Sequence, residues 1–95
     1  MLTIDLNCDV GEGIGNDSLI MPYISSCSIA CGGHFGNRNS ILESLILAKK
    51  HEVKVGAHPA YPDPKNFGRK SMSLSIHELK QHLKQQLNRF MECCA

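Results

Sequence analysis

With 95 residues, 42% of them hydrophobic and 20% charged, the chain has the size and composition of one globular domain and not of a disordered segment. A formal charge of +1 offers nothing to a nucleic acid or an anionic membrane, no apolar run approaches the roughly 20 residues of a membrane span, and the N-terminus has no basic-then-apolar secretion pattern. The five cysteines (Cys8, Cys27, Cys31, Cys93 and Cys94) are odd in number and unlike a disulfide framework, so reduced thiols in a cytoplasmic protein are expected.

Leu2, Ile4 and Leu6 alternate with Thr3, Asp5 and Asn7, which predicts a first strand over Thr3 to Asn7 that delivers Asp9. Gly11-Glu12-Gly13-Ile14-Gly15 follows. Its spacing is wrong for a dinucleotide fingerprint and no helix follows at once, so the glycines read as loop and turn residues. Asp17 to Met21 predicts a short helical turn closed by Pro22 and the serines. Ser26 to Cys31, small and partly apolar and bounded by Gly32-Gly33, predicts a strand buried on both faces that delivers His34. Asn37 caps a helix through Ser40, Ile41, Leu42, Leu45, Ile46 and Ala48. Lys49, Lys50 and His51 close that helix, where cations suit the negative end of its dipole.

Val53 to Ala57 predicts the third strand, ended by His58-Pro59 because proline removes a donor and bars helical angles from the residue before it. A loop holding Pro62, Pro64 and Gly68 leads to Ser75 and Glu78, the two members of a capping box. Ile76, Leu79, Leu83, Leu87 and Phe90 carry the apolar stripe of a helix running to about Glu92. His51, His77 and His82 fall on solvated helix faces.

This order of elements argues for an α/β fold with a parallel sheet and crossover helices. Ligands of such folds collect at the carboxyl ends of the strands, and each strand here delivers a ligand-type side chain to that end. Asp9, His34 and His58 form the expected metal set, two imidazoles and a carboxylate that leave a divalent ion open positions. Such an ion acidifies a bound water and polarises a carbonyl. Glu12 is a general base or a further ligand, so the expected catalytic group is Asp9, Glu12, His34 and His58. Asp63, Arg69 and Lys70 suit the charged end of a small substrate. Two plainer readings compete: histidines that only hydrogen-bond a neighbouring loop, and a structural zinc site of Cys8, Cys31, His34 and His58. No phosphate-loop motif is present.

Three stretches together resemble the LamB/YcsF family, better known as the A subunit of the bacterial 5-oxoprolinase. They are Asp5 to Gly13, then Ile24 to Ser26 with Ile29 to His34, then Val55 to Asp63 with Phe67-Gly68-Arg69. The resemblance implies a (β/α) barrel of the glycoside hydrolase and deacetylase type, of which residues 1–95 would be a single domain forming the N-terminal part with about three parallel strands. It implies ATP-dependent hydrolysis of 5-oxo-L-proline to L-glutamate, performed with 5-oxoprolinase subunits B and C. Where relatives usually read His-Ala-Gly-Asp, this chain reads His34-Phe35-Gly36-Asn37, which removes a carboxylate and adds bulk beside the expected site. A metal-dependent deacetylase-like carbohydrate hydrolase and a non-catalytic interaction fragment are the alternatives. A closed barrel of this type commonly has about 250 residues, so the isolated chain is expected to be poorly stable or self-associated, and inactive alone.

Overall fold

A strand must find a partner for its backbone groups, and the partner decides where the first strand of this chain begins. The computed structural model describes residues 3–95, so Leu2 of the predicted alternation lies outside the described residues. Strand β1 spans Asn7–Val10 and pairs in parallel with β2, Ser26–Ala30, from Asn7 opposite Ser26 to Val10 opposite Ile29. Upstream of β2 the chain winds through a short 3-10 turn, Met21–Tyr23, and provides no ladder for Thr3 to Asp5. Leu6 is held by Ser25 instead. Its N–H donates to Ser25 Oγ at 2.8 Å, and its carbonyl accepts from the N–H groups of Ser25 and Ser26 at 3.0 and 3.2 Å. Ile4 and Leu6 are exposed. The first strand therefore lies later than the alternation predicts, and Asp9 belongs to the strand rather than to the loop beyond it.

Strand β3, Lys54–His58, pairs in parallel with the other side of β2, from Ser26 opposite Lys54 to Ala30 opposite His58. The sheet order is β1-β2-β3. Helix α1, Asp17–Ile20, and the 3-10 turn connect β1 to β2, while α2, Arg38–Lys50, connects β2 to β3. Helix α3, Ile76–Cys94, follows a loop with a second 3-10 turn at Pro64–Asn66 and packs against α2.

Side chains alternate across a strand, and here the alternation separates packing from chemistry. Val10, Cys27 and Ile29 enter the core with Ile41 and Ala48 of α2 and with Phe90 and Cys93 of α3. The other face carries Asn7, Asp9, Ser26, Ser28 and His58. On it the Asn7 amide donates to Ser26 Oγ at 2.9 Å, and the Ser28 hydroxyl donates to Asn7 Oδ1 at 3.3 Å. Strand β2 is thus buried at Cys27, Ile29 and Ala30 but half-exposed at Ser26 and Ser28, not apolar on both faces as expected. Two hydroxyls on one face keep it polar.

Both long helices are capped where the sequence predicts. Asn37 Oδ1 accepts from the Ser40 N–H at 3.0 Å, and the Asn37 N–H donates to Ser40 Oγ at 2.8 Å. Ser75 Oγ accepts from the Glu78 N–H at 3.1 Å; its hydroxyl faces the Glu78 carboxylate at 3.2 Å, a return contact through the side chain. The stripe of α3 is displaced from its predicted line. Gln86, Phe90 and Cys93 are buried, Leu79 and Leu83 are partly so, and Ile76 and Leu87 face outward. A four-residue step overshoots a full turn by about 40°, so steps of four from Leu79 drift off the core. Alternating steps of three and four, Leu83 to Gln86 to Phe90 to Cys93, stay on it.

Burial pushes the Cys27 and Cys31 thiols up from their ordinary pKa, and the Cys31 S–H is directed at the Ile29 carbonyl at 3.2 Å. Alkylation in native buffer, followed by peptide mapping, is expected to mark exposed Cys94 and to spare Cys27, Cys31 and Cys93 until denaturant is added. Equal rates at Cys31 and Cys94 would show that this face of the sheet is not packed.

Candidate functional site

Parallel pairing brings the three loops that leave the strand ends to one edge of the sheet. Directly after β1, Gly11 takes a left-handed conformation (φ 71°), and its N–H is anchored on Asp17 Oδ2 at 2.9 Å. The turn sends Glu12 across the strand ends, where its side chain is only 10% exposed. His34, on the loop after β2, is 2% exposed, with Nε2 at 2.5 Å from Glu12 Oε2. His58 closes β3 with Nδ1 at 3.6 Å from the same carboxylate oxygen and 3.7 Å from Asp9 Oδ1. The two imidazoles face one another at 4.6 Å between centroids, tilted by 53°.

Buried polar atoms in folded proteins nearly always have a partner. Here Nδ1 of His34 and Nδ1 of His58 are buried and make no hydrogen bond among the described residues. With Nε2–H of His34 donating to Glu12, its Nδ1 carries the free lone pair. Ligand atoms of Glu12, His34 and His58 lie within 4.8 Å of one another. Two imidazoles and one carboxylate are a donor set that zinc and similar divalent ions accept, with a fourth position left for water or substrate.

The expected metal set was Asp9, His34 and His58, with Glu12 as a general base or a further ligand. Asp9 borders the cluster through His58 but lies outside the mutually close set, and its side chain is 53% exposed. The reason is the shifted strand: Asp9 leaves from within the ladder, whereas Glu12 lies past the Gly11 turn and reaches over the strand ends. Among the described residues no cysteine joins the cluster. The Cys31 thiol is raised chiefly by burial, which disfavours the thiolate that a structural zinc site needs.

The cluster opens into a cleft of about 490 Å³. Phe67 stands edge-on to His34 at 4.8 Å between ring centroids and nearly perpendicular, at 87°. It does so from a left-handed backbone (φ 56°), a conformation that costs a residue with a side chain on the order of 1–3 kcal/mol. The turn is closed on both sides, by Phe67 N–H to the Pro64 carbonyl at 3.1 Å and by Gly68 N–H to the Asp63 carbonyl at 2.9 Å. Arg69 lies on the cleft wall, its guanidinium 5.8 Å from the centre of the Phe67 ring. Of the three expected substrate-binding residues, Arg69 alone is part of the lining. Asp63 holds the turn, accepting from the Asn66 amide at 2.6 Å, and Lys70 is exposed. No site role was expected of Phe67, quoted only within the family motif, or of Leu79 and Leu83, read only as helix stripe, yet all three line the cleft. An aromatic residue directly before Gly68-Arg69 was the available signal for Phe67.

The unusual His34-Phe35-Gly36-Asn37 stretch also has a plain account. Phe35 turns away from the histidines and lines a separate hollow, where its ring lies so close to Gly13 that a β-carbon there would come within 2.5 Å. Asn37 is the N-cap of α2. The change at position 37 thus falls on a helix cap, where asparagine and aspartate serve about equally.

The model of the LamB/YcsF family matches residues 4–95. The A subunit of the 5-oxoprolinase of Histophilus somni is 43% identical over 94 residues, covering 99% of this chain and 38% of the relative. The corresponding 5-oxoprolinase A subunit of a bovine strain of Staphylococcus aureus is 43% identical over 98 residues, covering 98% of this chain and 39% of the relative. The crystal structure of a lactam utilization protein from Thermus thermophilus superposes with a TM-score of 0.90 at 41% identity, covering 97% of this chain and 39% of that one. The chain thus spans under two fifths of the length of these relatives.

Asn37→Asp is expected to leave stability unchanged within about 0.5 kcal/mol, and Asn37→Ala to lose about 1 kcal/mol, the usual worth of a cap. Denaturant unfolding of the two variants measures this. A large loss in Asn37→Asp would show that position 37 does more than cap α2.

Proposed function

Because the chain belongs to the LamB/YcsF family, we propose that it supplies the hydrolytic centre of an ATP-dependent 5-oxoprolinase that opens 5-oxo-L-proline to L-glutamate. The observation that carries this reading is the Glu12 carboxylate set against His34 and beside His58 at the mouth of a cleft. The names of the relatives, a 5-oxoprolinase A subunit and a lactam utilization protein, support the substrate class. Three parallel strands in sequential order suit one segment of a (β/α) barrel wall, with the site at the carboxyl edge where barrel enzymes place theirs. On this reading residues 1–95 are the first part of such a barrel, working in the cytoplasm with 5-oxoprolinase subunits B and C.

A five-membered lactam is an unactivated amide, and its nitrogen is a poor leaving group. Phosphoryl transfer from ATP to the lactam oxygen makes the ring carbon a better electrophile. Water then adds to that carbon, and the ring C–N bond breaks with the nitrogen leaving as a protonated amine. The resulting acyl phosphate is hydrolysed by a second water to the carboxylate and inorganic phosphate. Glu12, held by His34, takes the proton of the attacking water and returns it to the departing nitrogen. His58 and Asp9 orient the water. Arg69 receives the substrate carboxylate through its bidentate fork, with Lys70 next to it and Asp63 earlier on the same loop. Glu12, His34 and His58 also fit a divalent metal, which when bound supplies Lewis acidity and a more acidic water.

In the assembly containing this chain, glutamate release from 5-oxo-L-proline is expected to require ATP. His58→Ala and Glu12→Gln are each expected to lower turnover by about a hundredfold or more, the lower range for a positioned acid/base group. Near-normal turnover in both folded variants would remove the cluster from the chemistry. Nucleotide-independent hydrolysis of an N-acetylated sugar would favour the metal-dependent deacetylase reading instead.

A further inference from the structure

Gln86 breaks the pattern of its own helix. It occupies the buried stripe of α3 between Leu83 and Phe90, is 3% exposed, and stands where leucine would satisfy the helix period. A buried amide has to be matched on both its donor and its acceptor. Gln86 meets both with one residue: its Nε2 donates to the Ala60 carbonyl at 2.8 Å, and its Oε1 accepts from the Ala60 N–H at 2.9 Å. Ala60 lies two residues beyond His58, with Pro59 between. One turn further along α3, Arg89 Nη1 donates to the Cys31 carbonyl at 2.6 Å, at the head of the loop that carries His34.

The loop sequence is shaped to admit these two side chains. A β-carbon on Gly33 would come within 2.6 Å of the Ala60 carbonyl oxygen and 2.7 Å of Gln86 Cδ. One on Gly32 would strike Arg89 Nη1. Gly32 and Gly33 are therefore the place where the polar pair of α3 passes over the loop after β2.

We propose that Gln86 is a positioning residue for the histidine pair: it fixes the His58 loop to α3 through the Ala60 backbone, while Arg89 fixes the His34 loop through the Cys31 carbonyl. The separation of the two imidazoles is then set by a helix that contributes no acid, base or ligand to the cluster. The catalytic consequence rests on the proposed lactam hydrolysis; the geometric one does not.

Imidazole NMR of this chain separates the two, because His51 and His77 lie away from the loops and serve as internal references. Gln86→Leu keeps the volume and removes both hydrogen bonds. It is expected to shift the His58 and His34 resonances, to leave His51 and His77 in place, and to preserve the helical circular dichroism. Gln86→Met, unbranched like glutamine, also removes both hydrogen bonds and is expected to shift the same two residues. In the assembly, Gln86→Leu is expected to lower kcat about tenfold or more with KM within about twofold, as misplacement of a catalytic group does. A folded Gln86→Leu chain with unchanged His34 and His58 signals overturns the proposal. Should that variant not fold, unchanged signals in a folded Gln86→Met chain overturn it equally. Shifted imidazoles in an assembly where Glu12→Gln remains fully active would uphold the positioning role and remove the cluster from the lactam chemistry.

Discussion

The parallel pairing of β1 and β3 on the two sides of β2 is the constraint on which everything else depends. Because both ladders run in one direction, Val10 opposite Ile29 and Ala30 opposite His58 end at the same edge. The loops that follow must leave from that edge together. An antiparallel partner at either position would send one of these side chains to the far end of the sheet. The site is therefore a consequence of topology first and of side-chain chemistry second. The packing that supports it lies almost wholly on the opposite face, where Val10, Cys27 and Ile29 meet α2 and α3.

At the edge itself the chain keeps features that stability alone does not favour. A carboxylate and an imidazole are both largely withdrawn from water and held 2.5 Å apart. A carboxylate so withdrawn from water needs such a hydrogen bond to offset its desolvation, and removing the imidazole leaves it buried and unmatched. Two imidazole nitrogens make no hydrogen bond among the described residues, and Phe67 adopts a left-handed backbone to present its ring edge to His34. Strain and unmatched polar atoms concentrated within one cleft are common where binding or chemistry is done. Their coincidence here points to the same few residues that the strand ends deliver.

Helix α3 shows how a packing element also serves the site. Phe90 and Cys93 sit in the core, Leu79 and Leu83 wall the cleft, and Gln86 and Arg89 hold the loops on either side of it. The burial of a glutamine within an apolar stripe and the adjacent pair Gly32-Gly33 are two sides of one contact. By contrast, the departure at Asn37 does not line the cleft, and its side-chain oxygen caps α2.

Local signals along the chain set its grammar: three short strands, two capped long helices, their order, and the placement of His34 and His58 at strand ends. These follow from period, proline and capping chemistry, all of which act within a few residues. The LamB/YcsF resemblance was legible for the same reason, because its motifs are contiguous runs of the loops that leave the strands. Tertiary structure alone decided the rest. Whether Thr3 to Leu6 joins the ladder depends on what lies opposite, which set the start of β1, placed Asp9 inside the strand and made Glu12 the carboxylate between the histidines. Which stripe of α3 faces inward depends on the surface it meets, so Leu87 turned out and Gln86 turned in. Glu12 and His34 stand 22 positions apart in the chain, and Ala60 and Gln86 stand 26 apart, separations over which no periodicity speaks and only the folded chain brings partners together.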